Sequence, residues 1–296
     1  MDRTLRRILP ALGLLLMGTA GAAQAQVTAY AITTNNVGVQ QLVRFNPFSP
    51  AAVTTVGPTG FVLTGIDFRP ATNMLYGYDG DRLYIINTTT GAAAFQFDVN
   101  NTSGNVGFDF NPTVDRIRVV DASGLNMRLN QLTGATTVDG AYSFAAGDAN
   151  FGTTPSFTAV AYTNSDNDPA TGTTLFGIDR NLGQLITITN PNGGAINTVG
   201  SLGIGAFGSI TGFDIFTQGA TNTAFFSATV VGGAVSRLYT LNLGTGAATL
   251  IGDIGGVGIV EGLAISTVPE PGTWAMLALG MAALGVAARR RRVLDA

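Results

Sequence analysis

The sequence predicts an all-β chain that folds as a β-propeller of five four-stranded blades. Three observations support this prediction. An apolar–Gly–apolar–Asp–aromatic motif recurs along the chain, and short strand-like segments follow each copy. The segments between them are rich in Gly, Thr and Asn, which are typical of tight turns. A two-sheet β-sandwich and a β-solenoid are the alternative folds that the same strands could build.

The motif sets the period of the repeat. Its second position falls at residues 65, 107, 159, 212 and 262, which gives spacings of 42, 52, 53 and 50 residues. Three copies carry the acid, as Asp67, Asp109 and Asp214, whereas the degenerate copies have Ala161 and Ala264 there. Four strands in every 40–50 residues are typical of propeller blades.

The predicted blades account for the body of the chain. Whole blades are expected at residues 63–99, 105–140, 157–202 and 210–254, and residues 144–155 are expected to form a loop. Residues 27–58 hold only three strand-like segments. The orphan strand at 262–266 can supply the missing innermost strand of that first blade, which would close the ring and remove open sheet edges. The predicted propeller domain is therefore 26–266.

Composition excludes several classes of function. The 296 residues include no Cys, His or Lys, which excludes disulfides, thiol nucleophiles, histidine bases, the usual Ser-His-Asp triad and Schiff-base lysines. Between residues 26 and 268 there are 8 Arg against 14 Asp and 1 Glu, a net charge of −7. We therefore expect no nucleic-acid partner.

The first 25 residues resemble a secretory signal peptide. They combine a basic start, an apolar stretch that would form the signal helix, and small residues up to Ala25. We expect signal peptidase to cleave before Gln26. An uncleaved anchor helix is the alternative, but the apolar run is short for one.

The other end of the chain has three parts in a fixed order. Pro269, Glu270 and Pro271 come first, residues 274–288 form an uncharged apolar helix candidate, and residues 289–292 are all Arg. The apolar run is slightly short for a transmembrane helix, but no polar residue interrupts it, and we expect such a helix with its basic end in the cytoplasm. A terminal amphipathic helix packed on the domain is the alternative. Residues 268–292 resemble the PEP-CTERM sorting signal, so we assign residues 267–296 to this signal. The resemblance implies export through the inner membrane of a Gram-negative bacterium and processing by an exosortase-type enzyme. It further implies a location at the cell surface or outside the cell, in a producer of extracellular polysaccharide.

The body resembles the DUF4394 family of secreted bacterial proteins. The resemblance is carried by residues 107–112 (GFDFNP), 115–120 (DRIRVV) and 126–130 (NMRLN), the last followed by a Thr-Gly turn. It supports the fold and implies no particular activity.

Three arginines are predicted to share one face of the third blade. If residues 111–114 form the first turn, Asp109 lies opposite Arg116, and the next turn places Arg118 opposite Arg128. Facing arginines repel one another and need an anionic partner. One interpretation is an ion-pair network between blades, and the other is a binding site for an anion or a uronic sugar.

The three repeat aspartates are the candidate metal ligands. Innermost strands line the channel of a propeller, so Asp67, Asp109 and Asp214 could converge on a cation there. The alternative is that each carboxylate bonds backbone or a nearby turn. We expect no cofactor; among metals, calcium would suit such an oxygen cluster.

Two hypotheses about function follow. The first is a non-enzymatic extracellular module that binds or structures exopolysaccharide. The second is an enzyme, a metal-assisted glycan hydrolase or lyase that uses the channel carboxylates. No residue is assigned a catalytic role.

Overall fold

Strands dominate the part of the chain that the computed structural model describes, which comprises residues 26–99, 104, 106–166 and 168–268. One short 3₁₀ helix (Pro169–Thr171) accompanies them. In chain order the strands are β1 (Gln26–Thr34), β2 (Gln40–Asn46), β3 (Ser49–Pro58), β4 (Gly65–Arg69), β5 (Met74–Tyr78), β6 (Arg82–Ile86), β7 (Ala93–Asp98), β8 (Val106–Asn111), β9 (Arg116–Asp121), β10 (Asn126–Leu129), β11 (Thr136–Val138), β12 (Ser143–Phe144), β13 (Phe157–Tyr162), β14 (Leu175–Asp179), β15 (Gln184–Asn190), β16 (Ala195–Ser201), β17 (Phe207–Gln218), β18 (Thr221–Val230), β19 (Arg237–Leu241), β20 (Ala248–Asp253) and β21 (Val260–Val268).

These strands form the five blades of a β-propeller. Blade 1 holds β1–β3 together with β21, blade 2 holds β4–β7 and blade 3 holds β8–β11. Blade 4 holds β13–β16, and blade 5 holds β17–β20. The five-bladed prediction is confirmed, and the sandwich and solenoid alternatives are wrong.

The ring closes between the two ends of the domain. Strand β21 lies beside β1 as the innermost strand of blade 1. At this seam the Thr33 hydroxyl donates a hydrogen bond of 2.9 Å to the Ile259 carbonyl. The closing strand predicted at 262–266 is therefore confirmed, and it is longer than expected at both ends.

The motif glycines let neighbouring inner strands approach closely. A Cβ on Gly107 would lie 2.7 Å from the Val160 amide nitrogen of the next blade, and one on Gly65 would lie 2.6 Å from the Phe108 Cβ. Real Cβ atoms do not tolerate such distances. The repeat thus uses glycine for inter-blade packing, which explains its fixed position beside the aspartate.

The hydrophobic core lies between blades. Tyr78 of blade 2 stacks on Phe108 of blade 3, with ring centroids 5.9 Å apart. Tyr30 of blade 1 meets Phe68 of blade 2 edge to face at 5.4 Å. Because each blade buries its apolar face on its neighbours, the ring and its core form together.

Blade 4 carries a fifth strand that the sequence does not predict. The two-residue strand β12 pairs in parallel with the outer strand β16 through Ser143 opposite Ala195 and Phe144 opposite Ile196. Phe144 is buried. The segment after blade 3 therefore reaches across to blade 4 and covers its outer edge.

The first turn of blade 3 differs from the prediction. Asp109 lies opposite Arg118, and Asn111 lies opposite Arg116, so the pairing of Asp109 with Arg116 is wrong. The cause is a turn shifted toward Asp115, which adopts a left-handed backbone (φ 51) and donates its amide to the Asn111 carbonyl. The shift is two residues, and therefore the arginines keep the predicted face. Arg118 lies opposite Arg128, as the sequence predicts.

The predicted terminal signals, residues 1–25 and the sorting signal with Pro269, Glu270 and Pro271, lie outside the described residues. Among the residues that are described, none belongs to an apolar helix of membrane-spanning length.

Candidate functional site

The three repeat aspartates meet at the centre of the ring. Asp67 on β4, Asp109 on β8 and Asp214 on β17 each place a carboxylate oxygen within 4.8 Å of the other two. All three side chains are buried, with 6%, 2% and 4% of the residue surface exposed. The structure thus brings together the residues that the repeat singled out.

Each carboxylate also bonds the inner strand of the following blade. In each case the donor is the backbone amide of the residue just after the aspartate or alanine position of the motif in that following blade. The bonds run from Phe110 N to Asp67 Oδ2 (2.7 Å), from Tyr162 N to Asp109 Oδ1 (2.9 Å) and from Ile265 N to Asp214 Oδ2 (2.5 Å). The aspartates therefore tie blade 2 to 3, blade 3 to 4 and blade 5 to 1.

The two alanine copies explain the remaining inner amides. Blade 1, which precedes blade 2, has Ala264 at the aspartate position, and blade 4, which precedes blade 5, has Ala161 there. The preceding blade therefore offers no carboxylate to the inner strand of blade 2 or of blade 5. In blade 2 the Phe68 amide donates instead to Oδ1 of its own Asp67 at 2.7 Å. In blade 5 the Ile215 amide donates to its own Asp214, which opposes the rise in pKa that burial causes there. Three carboxylates thus serve the equivalent amide of all five inner strands.

The cluster is electrostatically strained. Burial raises the pKa of Asp67 and of Asp109 well above the usual range, and repulsion from the neighbouring carboxylates raises both further. Burial also raises the pKa of Asp214, to about 7, against the opposing effect of its amide donors. Two unit charges 4.8 Å apart repel by roughly 3–4 kcal/mol at an effective dielectric constant of about 20. Full ionisation of all three carboxylates is therefore unfavourable near neutral pH.

A small cavity lies among the five inner strands. Gly65, Gly107 and Gly212 are among its lining residues, the three aspartates are not, and its volume is about 10 Å³. That volume suits about one water molecule and no sugar ring.

The second feature is an arginine network between blades 3 and 4. Asp139, just after β11, accepts a bond of 2.6 Å from Arg118 Nη1 and two bonds of 2.8 Å from Arg128. This carboxylate is the anionic partner that the facing arginines require. Asp109 forms no ion pair with either arginine in the described residues; its Oδ1 accepts a hydrogen bond from the Tyr162 amide.

Arg118 also ties the two blades together. Its Nη1 donates to Asn126 Oδ1 at 2.7 Å, and its Nη2 donates to Asn192 Oδ1 of blade 4 at 2.8 Å. The Asn126 amide continues the link, donating to the Pro191 carbonyl at 2.8 Å. With only 3% of its side chain exposed, Arg118 holds the two blades in place, as the ion-network interpretation expects.

Arg116 is placed differently. Its Nη1 donates to the Asp115 carbonyl at 2.7 Å, while the Asp115 carboxylate is held by Arg69 of blade 2 at 2.8 and 2.5 Å. Within the described part of the chain, Arg116 forms no ion pair. The three arginines therefore carry three positive charges against the single negative charge of Asp139.

A cavity of about 460 Å³ lies between these arginines and the turn 190–192 of blade 4. Arg116, Arg118 and Arg128 line it, with Tyr162 and Asn192 among the neutral polar residues. This volume is within the range of small-ligand sites. The pocket combines surplus positive charge with hydrogen-bonding groups in a protein body that is acidic overall.

Sequence reasoning missed Asp139 and Asn192. Both lie outside the repeated motif, on segments whose approach depends on how blade 3 meets blade 4. A signal for Asp139 does exist, since the facing arginines demand a carboxylate and Asp139 is the next acid in the chain after Asp121.

Comparison with known proteins gives two family matches. A model described as a domain of unknown function (DUF4394) matches residues 41–264, and a PEP-CTERM protein-sorting motif matches residues 267–292. No curated protein matches.

Several solved structures are similar to the chain at low identity. Hydrazine synthase from Kuenenia stuttgartiensis is 10% identical, with a TM-score of 0.40 over 64% of this chain and 49% of that one. A protein of unknown function from Bacteroides thetaiotaomicron is 16% identical, with a TM-score of 0.45 over 74% and 57%. A putative 6-phosphogluconolactonase from Bacteroides fragilis is 11% identical, with a TM-score of 0.42 over 83% and 99%. The chain spans about half the length of the first two, and these similarities carry no argument about activity.

Proposed function

This chain belongs to the DUF4394 family. From that premise and from its sorting motif we propose that it is an exported protein of the cell surface or matrix. We propose that it binds acidic extracellular polysaccharide without catalysis. The PEP-CTERM motif marks an exported protein that is sorted to the cell envelope. The proposed ligand site is the arginine pocket between blades 3 and 4.

The surplus charge of this pocket is the observation that supports the proposal. Arg116 forms no ion pair in the described residues, and Arg128, with 37% of its side chain exposed, shares Asp139 with Arg118. A carboxylate ligand would compensate the excess by bidentate bonding to a guanidinium. The asparagine and tyrosine groups of the pocket suit the hydroxyls of a sugar.

The shape and setting of the pocket favour a sugar acid over nucleic acid. Nucleic-acid binding requires an extended basic surface, whereas here three arginines gather at one cavity of about 460 Å³. The acidic remainder of the body repels a densely charged polyanion. A polymer with spaced carboxylates and hydroxyls can place one carboxylate in the cavity, and its low charge density limits repulsion from the acidic remainder of the body.

Binding to polygalacturonate tests the proposal, with the fully methyl-esterified polymer as the matched neutral ligand. We expect retention of the wild-type protein on the acidic polymer alone. Arg116→Ala should weaken binding roughly 10- to 100-fold, the value of one charge-assisted hydrogen bond. Arg118 is not the variant of choice, because it also holds the blades together.

Arg237→Ala provides the control, since Arg237 forms an exposed ion pair with Asp253 on blade 5. It should bind like the wild type. Equal retention on both polymers, or equal affinity of the Arg116→Ala and Arg237→Ala variants, would refute the pocket as the binding site.

Processing at the two ends completes the proposal. Signal peptidase would cleave before Gln26, and an exosortase-type enzyme would act near residues 269–271. Mass spectrometry of the protein from its native envelope tests both, because it reports the mature ends directly. A mature protein that begins at Met1 or ends at Ala296 would contradict them.

The convergence of the channel aspartates supports a second candidate, a metal-assisted glycan hydrolase or lyase. Its weakness is access, since glycosidic cleavage needs carboxyl groups on either side of the bound sugar. None of the three aspartates has more than 6% of its surface exposed, and the cavity among the inner strands holds about 10 Å³. Release of reducing ends from the polysaccharide in the presence of calcium, lost in Asp214→Asn, would favour this candidate over binding alone.

A further inference from the structure

An apolar surface covers the ring seam at the upper end of the propeller, which is the end where the inner strands begin. Four loops at residues 35–39, 59–63, 231–236 and 254–259 form this surface, the seam patch. We propose that the seam patch binds a second copy of the chain, so that the exported protein forms a dimer with the upper ends facing each other.

Hydrogen bonds hold the four loops side by side. The Ser236 amide donates to the Gly258 carbonyl at 3.3 Å, which joins the loop of blade 5 to the connection into β21. The seam bond to the Ile259 carbonyl joins that connection to the end of β1. Gln40, which follows the loop of blade 1, donates to the Leu63 carbonyl and accepts from the Leu63 amide, both at 2.8 Å. The patch is therefore continuous from blade 5 through blade 1 to blade 2.

The seam patch is exposed and contains no charged residue. Its exposed apolar side chains, between 40% and 82% accessible, include Val37, Val39, Phe61, Val62, Val231 and Ile259. Together they expose on the order of 500 Å². Apolar patches of this size on a monomer are often interaction sites.

Charge favours a second copy as the occupant of the patch. The body carries a net charge of −7, so two copies repel each other over most of their surface. The turn of blade 2 at the same end carries Asp79 and Asp81, and it lies outside the patch. Two copies avoid like-charge contact if only their seam patches overlap, in an offset, two-fold arrangement. An anionic lipid surface would instead repel the acidic body.

The area of the patch is close to what a dimer needs. A stable interface buries about 800 Å² on each partner. The apolar side chains supply on the order of 500 Å² of this, and the glycine and polar positions of the same loops can supply the remainder as the rim. The hydrophobic effect then favours association without a need for ion pairs.

The chain leaves the domain at the opposite, lower end, so its own terminal segments do not start beside the patch. β1 begins there at Gln26 and β21 ends there at Val268. The nine residues of β21 separate Val268 from the upper end by roughly 30 Å. In the dimer the two lower ends point away from each other. Dimerisation is therefore a property of the released protein, a point that rests on the proposed processing at the C-terminus.

Light scattering of the exported, processed protein tests the dimer in the absence of any polysaccharide, so its outcome is independent of ligand binding. Between about 1 and 100 μM the mass should approach twice that of the monomer. Added salt should strengthen the dimer, because it screens the repulsion between the acidic bodies while the interface itself is uncharged.

Aspartates placed in the patch should break the dimer. Val37→Asp combined with Val231→Asp should weaken association roughly 100-fold or more, because each interface would bring like charges together. Val138→Asp is the matched control, since Val138 is 70% exposed on the outer strand β11, outside the patch. It should dimerise like the wild type.

A charge-swapped variant covers the case in which the aspartates disturb the fold. The protein with Val37→Arg and Val231→Arg should also be monomeric alone, but it should form a mixed dimer with the aspartate variant. The proposal is overturned if the wild type stays monomeric over the whole range, if the aspartates leave the dimer intact, or if the two variants fail to associate. Binding of a monomeric wild type to phosphatidylcholine vesicles would assign the patch to a lipid surface and overturn the dimer as well.

Discussion

Replacement of Asp139 by asparagine is the sharpest test of the arginine network. The Asp139 side chain is 6% exposed, and both its oxygens accept bonds from arginine, one shared by Arg118 and Arg128 and one from Arg128 alone. The substitution keeps the size of the side chain but removes the only carboxylate that forms an ion pair with Arg118 or Arg128 within the described residues. Arg118 would then be a buried charge without a counterion.

The magnitude follows from that geometry. Removal of one partner of a buried ion pair typically costs about 3–5 kcal/mol, because an uncompensated charge stays in the interior. For a domain of this size each kcal/mol lowers the melting temperature by roughly 2–4 °C. The expected fall is therefore on the order of 10 °C.

The variant should also change how the free energy of unfolding depends on pH in the acid range. Burial acts to raise the pKa of Asp139, but hydrogen bonds from Arg128 and Arg118 outweigh it, and the pKa is lowered. The stabilisation from this group is present above the unfolded pKa and is lost as pH falls through the folded pKa. The Asp139→Asn variant should therefore lack this loss of stability at acid pH.

Equilibrium unfolding in urea measures the change, and Asp253→Asn is the matched control. Asp253 pairs with Arg237 at 3.1 Å, but the two side chains are 59% and 43% exposed. Its loss should cost less than about 1 kcal/mol. If Asp139→Asn costs no more stability than Asp253→Asn, Arg118 is not a buried charge that needs Asp139 as its counterion.

Added galacturonate should restore part of the stability of Asp139→Asn by supplying the missing carboxylate.

Further predictions concern the ring itself. Gly107→Ala should destabilise the domain by about 1–3 kcal/mol through the clash with the next blade, whereas Gly258→Ala, with no atom within 4 Å of the added Cβ, should be nearly neutral in urea unfolding. Arg69→Ala removes a partly buried bidentate ion pair between blades and should cost about 1–3 kcal/mol. Arg82→Ala, which breaks an exposed pair, should cost less by the same assay, and the reverse order would contradict the assignment. Deletion of residues 260–268 should abolish cooperative unfolding and admit proteolysis, whereas a chain that ends at residue 268 should unfold like the wild type.

The architecture could be predicted because every blade must pack closely against the next at the same point of the repeat. Each inner strand must approach the next, so glycine recurs beside the aspartate at Gly65, Gly107 and Gly212, and its period identifies the blades. The register of one turn could not be predicted in the same way. It depends on Asp115 in a left-handed conformation, which is uncommon for a residue other than glycine. A sequence signal lies in blade 2, where Asn73 adopts the same conformation at the equivalent position of the turn.

The candidate sites were predictable only in part. The convergence of the channel aspartates follows from their equal place in the repeat, and their raised pKa values follow from burial that the sequence does not state. In the arginine pocket, Arg118 and Arg128 follow from strand alternation. Asp139 and Asn192 do not, because they lie on non-repeating segments that meet only when blades 3 and 4 pack together.

The seam of blade 1 also orders events during export. Thr33 and Ile259 meet there across 226 positions of sequence, so a chain that crosses the membrane from its N-terminus delivers β1 first and its partner β21 last. Until then the inner edge of β1 stays unpaired, and such long-range pairing is slow and open to aggregation. The sorting motif begins at residue 267, within the final strand. The fold is therefore completed just as the sorting motif begins, and a chain truncated before β21 would reach neither.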